Sequence, residues 1–120
     1  MRRKAGAVLP LEEKILDTAI SLRGSGIDEF HGFLLAKVMK AQSGNAMPAH
    51  GTLYRALVRM EETGWLQSTW EDPDAAESER RPRRRLYRVT LSGEEALSRA
   101  RSHVRQAATA RRARVGPATA

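Results

Sequence analysis

Three breaks divide the first half of the chain into segments of helical length: Gly24-Ser25-Gly26, Ser43-Gly44-Asn45 and Gly64. Between them apolar residues return at helical rather than strand spacing, which constrains the order of elements before any other feature is considered. Pro10 suits a first helical turn. Leu11, Ile15, Ala19 and Leu22, widened by Leu16 and Ile20, predict a helix ending near Arg23. Asp28 is placed to cap a second helix, whose apolar face of Phe33, Leu34, Leu35, Val38 and Met39 stops around Ala41. Pro48 opens a third helix, running to Thr63, with Leu53, Leu57 and Met60 inward and Ala56 and Val58 on its flanks. Gly64 terminates it.

After Gly64 the pattern changes. Trp65 to Trp70 is short and partly β-branched or aromatic, and Arg84 to Thr90 carries Leu86, Tyr87 and Val89. These predict two paired strands, joined by a connection that contains Pro73 and Pro82. Thr90 or Ser92 then caps a fourth helix, Ser92 and Glu95 having the spacing of a capping box. Its apolar stripe is Leu97, Ala100, Val104 and Ala107. Residues 1–9 read as a basic arm, 10–90 as one domain, 91–110 as the last helix and 111–120 as a disordered tail. Three helices, a hairpin and a further helix make a mainly α fold with a small β-hairpin, the order of a winged helix-turn-helix.

Charge points to the class of partner. The 120 residues carry a net charge of +7, and 17 of the 21 cations are arginine, the side chain suited to bidentate phosphate and guanine contacts. Residues 71–79 hold five acids and no base; residues 80–88 hold six arginines and no acid; six more arginines follow Glu95. Either the adjacent acids or a phosphate backbone could neutralise the crowded arginines.

Other classes of function find little support. With no cysteine, disulfides, thiol catalysis and cysteine-based zinc sites are excluded. His31, His50 and His103 lie far apart, without metal-ligand spacing, so no metal and no cofactor is expected. Glu61 and Glu62 are neighbours on a helix and diverge, and Gly24-Ser25-Gly26 lacks both the third glycine and the preceding strand of a dinucleotide site. An enzyme is not expected. No apolar run approaches the ~18 residues of a membrane span, and none follows the basic N-terminus as a signal core would, so a cytoplasmic protein is the expectation.

A groove-reading helix needs one face buried and the opposite face of short polar and arginine side chains. In the third helix Thr52, Arg55 and Arg59, at i, i+3 and i+7, share a polar face opposite Leu53, Leu57 and Met60. Tyr54 reads either as a core anchor or as a phosphate contact. Trp65 and Trp70 are five residues apart and face opposite sides of a regular strand, so at most one is a plain core residue. The other is a candidate to line a ligand pocket and stack on a planar molecule.

The run Gly51-Thr52-Leu53-Tyr54-Arg55-Ala56-Leu57, continued by Arg59-Met60-Glu61 and Gly64-Trp65-Leu66, resembles the PadR-type transcriptional regulators. His31-Gly32-Phe33 upstream and Arg81-Pro82-Arg83-Arg84-Arg85-Leu86-Tyr87-Arg88-Val89-Thr90 downstream match the same family, and Gly93 with Ala96-Leu97 fits its next helix. The resemblance covers about residues 10–100. It implies a dimeric repressor on double-stranded DNA, with the third helix of each subunit in a major groove and the hairpin as a wing on the adjacent minor groove or backbone. It further implies a homodimer through the first and fourth helices, here Leu11, Ile15, Leu97, Ala100 and Val104, and release by a small aromatic effector near the dimer interface.

One departure concerns the helix cap. Many relatives carry Ser-Pro before the Gly-Thr-Leu-Tyr run, whereas this chain has Ala49-His50. Loss of a serine cap costs about 1 kcal/mol unless Thr52 or a phosphate takes the exposed amides. His50 adds a phosphate contact of its own. The acidic stretch makes the wing longer than the minimum, and an acidic tip should avoid DNA. That leaves Arg83, Arg84 and Arg85 near the strand for phosphate work. The expected DNA-binding set is therefore His50, Thr52, Tyr54, Arg55, Arg59 and Arg83 to Arg85. The competing reading is a winged-helix module whose arginines hold an acidic protein.

Overall fold

The computed structural model describes residues 7–44 and 47–115. Helix α1 (Pro10–Gly24) starts after extended Leu9, whose N–H is taken up by Glu12 Oε1 at 2.9 Å. Ile15, Leu16, Ala19 and Leu22 are buried and Leu11 and Ile20 half-buried, as the stripe predicts.

A two-residue strand, β1 (Phe30–His31), precedes α2 (Gly32–Ser43) and was not legible in the sequence. It corrects the expected cap. The chain around Asp28 is still approaching the sheet, so no helix begins there; His31 caps α2 instead, its Nδ1 accepting the Leu34 N–H at 3.1 Å. Leu35, Ala36 and Met39 face inward. Phe33, expected on the apolar face, is 63% exposed, because two residues from Leu35 lies on the opposite side of a helix.

Helix α3 (His50–Thr63) begins two residues after Pro48, since Ala49 remains extended. It buries Leu53, Ala56, Leu57 and Met60 completely. Gly64 ends it at φ 90°, a left-handed conformation that favours glycine, and the next N–H, from Trp65, returns to the Met60 carbonyl.

Strands β2 (Leu66–Trp70) and β3 (Arg85–Val89) pair antiparallel from Leu66↔Val89 to Trp70↔Arg85. Strand β1 joins the other edge of β3, with Phe30 opposite Tyr87, so the predicted hairpin is part of a three-stranded sheet. The connection between β2 and β3 is not a plain loop. Asp72 caps a short helix, α4 (Pro73–Ser78), by accepting the Asp74 N–H, and Ala76 of that helix is buried.

Helix α5 (Leu91–Val115) takes the first of its two expected caps and departs from the expected capping box and tail. Its cap is Thr90, whose Oγ1 accepts the Gly93 N–H at 3.0 Å while its hydroxyl donates to the Gly64 carbonyl at 2.6 Å. Ser92 is already inside the first turn, so the Ser92–Glu95 capping box does not form. Only the start of the stripe is core: Ala96 and Leu97 are buried, Ala100 is half-buried, Val104 is 61% exposed and Ala107 is exposed. The helix also continues through residues 111–115, expected as disordered tail; residues 116–120 and arm residues 1–6 lie outside the described residues. Arg23–Glu94 and Arg101–Asp17 tie α5 to α1. No helix among the described residues is long and apolar enough to cross a membrane.

Candidate nucleic-acid interface

Helix α3 turns one flank to α1 and the other to the sheet, which decides what its third, outward ridge can do. On the α1 side, Arg59 Nε donates to Glu12 Oε2 at 2.9 Å, and Glu12 is fully buried. Arg59 thus leaves the polar face expected of it and becomes an anchor between helices. On the sheet side, Glu61 accepts the Ser68 hydroxyl and lies 3.6 Å from Arg85 Nη2.

The outward ridge, opposite the buried Leu53, Leu57 and Met60, consists of Gly51, Arg55, Val58 and Glu62. Arg55 reaches Thr52 Oγ1 at 3.3 Å and has no acidic partner among the described residues. Val58, read from the sequence as a flank of the core, is 50% exposed beside it and leaves an apolar patch on the ridge. Its helical phase, two residues from the buried Ala56 and Met60, was the available signal.

The N-terminus of α3 is open. Ala49 supplies no side-chain cap, so amides of the first turn remain available to an external acceptor. His50 stands there, its ring 6.1 Å from Phe33 and 6.4 Å from Tyr54. Tyr54 is 37% exposed and not a core anchor; its ring lies over Gly32, where an added Cβ would sit 2.5 Å from the phenol oxygen. Beside these rings a groove of about 540 Å³ between α2 and α3 is lined by Phe33, Lys37, Lys40 and His50. Lys37 and Lys40 enlarge the basic surface and were not singled out in the sequence, although their i, i+3 spacing opposite the buried Leu35 marks a solvent face.

The wing arginines divide into occupied and available groups. Arg81 makes a fork-to-fork pair with Glu71, at 2.6 and 2.9 Å, and a further bond to Glu79. The hydrogen bond from Arg81 pulls the Glu71 carboxyl down to about 2. The acidic stretch thus neutralises Arg81, the second arginine of the basic run, from within the wing. Arg85 is held by Ser68 Oγ at 2.9 Å and by Glu61. Arg83 is exposed and carries no acid among the described residues; its guanidinium lies over the Trp70 ring, 5.6 Å from the centroid, with Arg85 at 5.0 Å. Arg84 Nη1 is 3.3 Å from His31 Nε2.

The two tryptophans form no common pocket. Trp65 is 3% exposed inside the core, and Trp70 is 56% exposed on the wing beneath two arginines. Ile15 and Leu97, expected in a dimer seam, are likewise core residues of the protomer, whereas Leu11, Ala100 and Val104 retain accessible surface. Among the described residues no group of three or more His, Cys, Asp or Glu is placed to hold a metal ion.

This geometry has close counterparts. The model of the transcriptional regulator PadR-like family matches residues 26–99, from the turn before β1 into α5. A transcriptional regulator from Clostridium thermocellum superposes with a TM-score of 0.64 at 19% identity, covering 83% of this chain and 84% of that one. A PadR family transcription regulator from hypervirulent Clostridium difficile gives 0.64 at 20% identity, over 88% and 98% of the two chains. A PadR-like transcriptional regulator from Bacillus cereus gives 0.61 at 20% identity, over 89% and 92%. At these identities the structures speak for the fold, and the family match speaks for membership. No curated protein sequence matches the chain significantly.

Proposed function

Because the chain belongs to the PadR-like family of transcriptional regulators, we propose that it acts as a dimeric repressor reading an inverted-repeat operator. Being a member of a family of DNA-binding regulators, it is not an enzyme. Each protomer sets the Gly51–Arg55–Val58 ridge of α3 into a major groove. Phosphates meet the open α3 N-terminus, His50 and Tyr54, while Arg83 and Arg84 hold the backbone beside the wing.

The observation that carries this reading is Arg55 in the middle of the outward ridge, with no acidic partner for its guanidinium among the described residues. A guanidinium with free donors there can engage guanine O6 and N7 bidentately. The second protomer docks along α5, whose exposed Val104 and Ala107 continue the stripe begun by the buried Leu97. Two-fold symmetry then places the α3 helices in successive major grooves about 34 Å apart. Such a protein works where the chromosome is, in the cytoplasm.

The test is a salt titration against the inverted repeat nearest the gene's own promoter and a scrambled duplex. Specific binding exceeds non-specific by a factor on the order of 10³ or more, and Arg55→Ala narrows that gap. Equal binding to both duplexes at every salt concentration overturns the reading.

A further inference from the structure

His31 and Arg84 are 53 residues apart in sequence and meet where β1 ends and β3 begins. Hydrogen-bond valence at this meeting leaves something missing. His31 Nδ1 accepts the Leu34 N–H, so that nitrogen keeps its lone pair. A neutral imidazole carries one N–H, which must therefore sit on Nε2. Nε2 faces Arg84 Nη1 at 3.3 Å, and a guanidinium only donates. Two N–H donors thus point into one place, with no acceptor for either among the described residues.

The nearby carboxylate does not resolve this. Glu71 takes both Arg81 nitrogens and the Arg84 backbone N–H. The charged form of the imidazole is also disfavoured. Burial first, then Arg84 and Arg81, hold the imidazole below its ordinary pKa against the smaller opposing pull of Glu71. Protonation would place an N–H on Nδ1 against the amide it caps.

We propose that His31 Nε2–H and the Arg84 guanidinium together bind one non-bridging oxygen of a DNA phosphodiester. The assignment rests on the DNA-binding reading above and adds a residue to it. Position supports this source of phosphate over a free anion: His31 adjoins Gly32, Tyr54 lies over Gly32, and Tyr54 neighbours His50 at the α3 N-terminus. Through Gly32 and Tyr54 the donor pair therefore adjoins the α3 N-terminus. It is a paired donor site of net charge one, because the histidine contributes a hydrogen bond and no charge.

The test uses the full chain with a random-sequence duplex of about 20 base pairs, a length that spans two successive major grooves, and inorganic phosphate as a second probe. His31→Asn keeps a good N-cap and removes the Nε2 donor; Arg84→Gln removes the charge. Each variant weakens duplex binding about tenfold, the double variant by less than the product, as for donors sharing one oxygen. The log–log salt slope falls by about one for Arg84→Gln and is unchanged for His31→Asn. In the unaltered protein, imidazole ¹⁵N spectra show the Nε2–H tautomer, and duplex moves that resonance while millimolar inorganic phosphate does not.

If the unaltered protein binds no duplex, the DNA-binding reading itself falls. If it binds duplex and His31→Asn, folded by circular dichroism, binds equally well, only the donor site is overturned. An Nδ1–H tautomer overturns it directly, whatever the variants do. A resonance that saturates with inorganic phosphate and ignores duplex reassigns the site to a free anion and overturns the phosphodiester.

Discussion

Arg59 donates through Nε to Oε2 of Glu12 at 2.9 Å, joining the helix expected to read DNA to α1 by an ion pair whose acid is wholly buried. The same Glu12 closes the α1 N-terminus through the Leu9 N–H. One carboxylate therefore sets both where α1 begins and how α3 lies upon it.

Arg59→Ala should consequently be a stability variant. Removing one member of a buried pair costs about 3–5 kcal/mol, and the partial exposure of Arg59 brings this to about 2 kcal/mol. Urea unfolding reads the loss. Arg55→Ala, on the outward ridge, leaves the unfolding free energy within about 0.5 kcal/mol of the parent and lowers discrimination between operator and scrambled duplex. A reversed pattern would put Arg59 in the groove and Arg55 in the framework.

Gly32→Ala places a methyl 2.5–2.7 Å from three atoms of the Tyr54 ring. The ring is 37% exposed and can swing outward, so the stability loss is near the lower end for overpacking, about 1 kcal/mol. Duplex affinity should fall as far as it does in Tyr54→Ala, measured by fluorescence anisotropy. Wild-type affinity in Gly32→Ala would mean that the resting position of Tyr54 has no part in binding.

The wing should be acid-resistant. The folded-state pKa of Glu71, about 2, lies below its ordinary 4.5, chiefly because of the Arg81 hydrogen bond. A depressed carboxylate stabilises fully above the ordinary value and loses its contribution as pH falls toward the folded one. The Arg84 amide, which donates to Glu71, should therefore keep its ¹H–¹⁵N position at pH 4 and shift only as pH approaches 2. In Arg81→Ala the shift should return to the ordinary carboxylate range.

Leu97 and Val104 lie two turns apart on α5 and should answer different experiments. Leu97→Ala removes a buried side chain and costs about 2–4 kcal/mol of protomer stability. Val104→Asp changes a residue that is 61% exposed in the protomer. Sedimentation velocity should show it to be monomeric with its helix content intact. A Val104→Asp protein that remains dimeric removes α5 as the seam.

Helix-length segments were legible because burial repeats with helical period: Ile15, Leu35, Leu53 and Leu57 declare their faces in any short window. Gly64 was legible as a stop for the same local reason, confirmed by its left-handed backbone. β1 was not, since a two-residue strand has no period and exists only through its pairing with β3. The cap of α2 followed from that pairing, which is why Asp28 was the wrong candidate and His31 the right one. α4 had a local signature in Asp72-Pro73, hidden by the charge run around it.

For the interface, the division between sequence and tertiary structure follows the range of the forces. The sequence alone determined that α3 carries arginines opposite an apolar stripe and that a basic run lies at the wing, because helical phase and composition are local properties. Which arginines stay available was decided by the tertiary structure alone. Arg59 met Glu12, Arg81 met Glu71, and Arg85 met Ser68 and Glu61, leaving the guanidinium groups of Arg55, Arg83 and Arg84 without an acidic hydrogen-bond partner among the described residues. A charge is neutralised by its neighbour in space, and for Arg59 and Glu12 that neighbour lies 47 residues away in sequence.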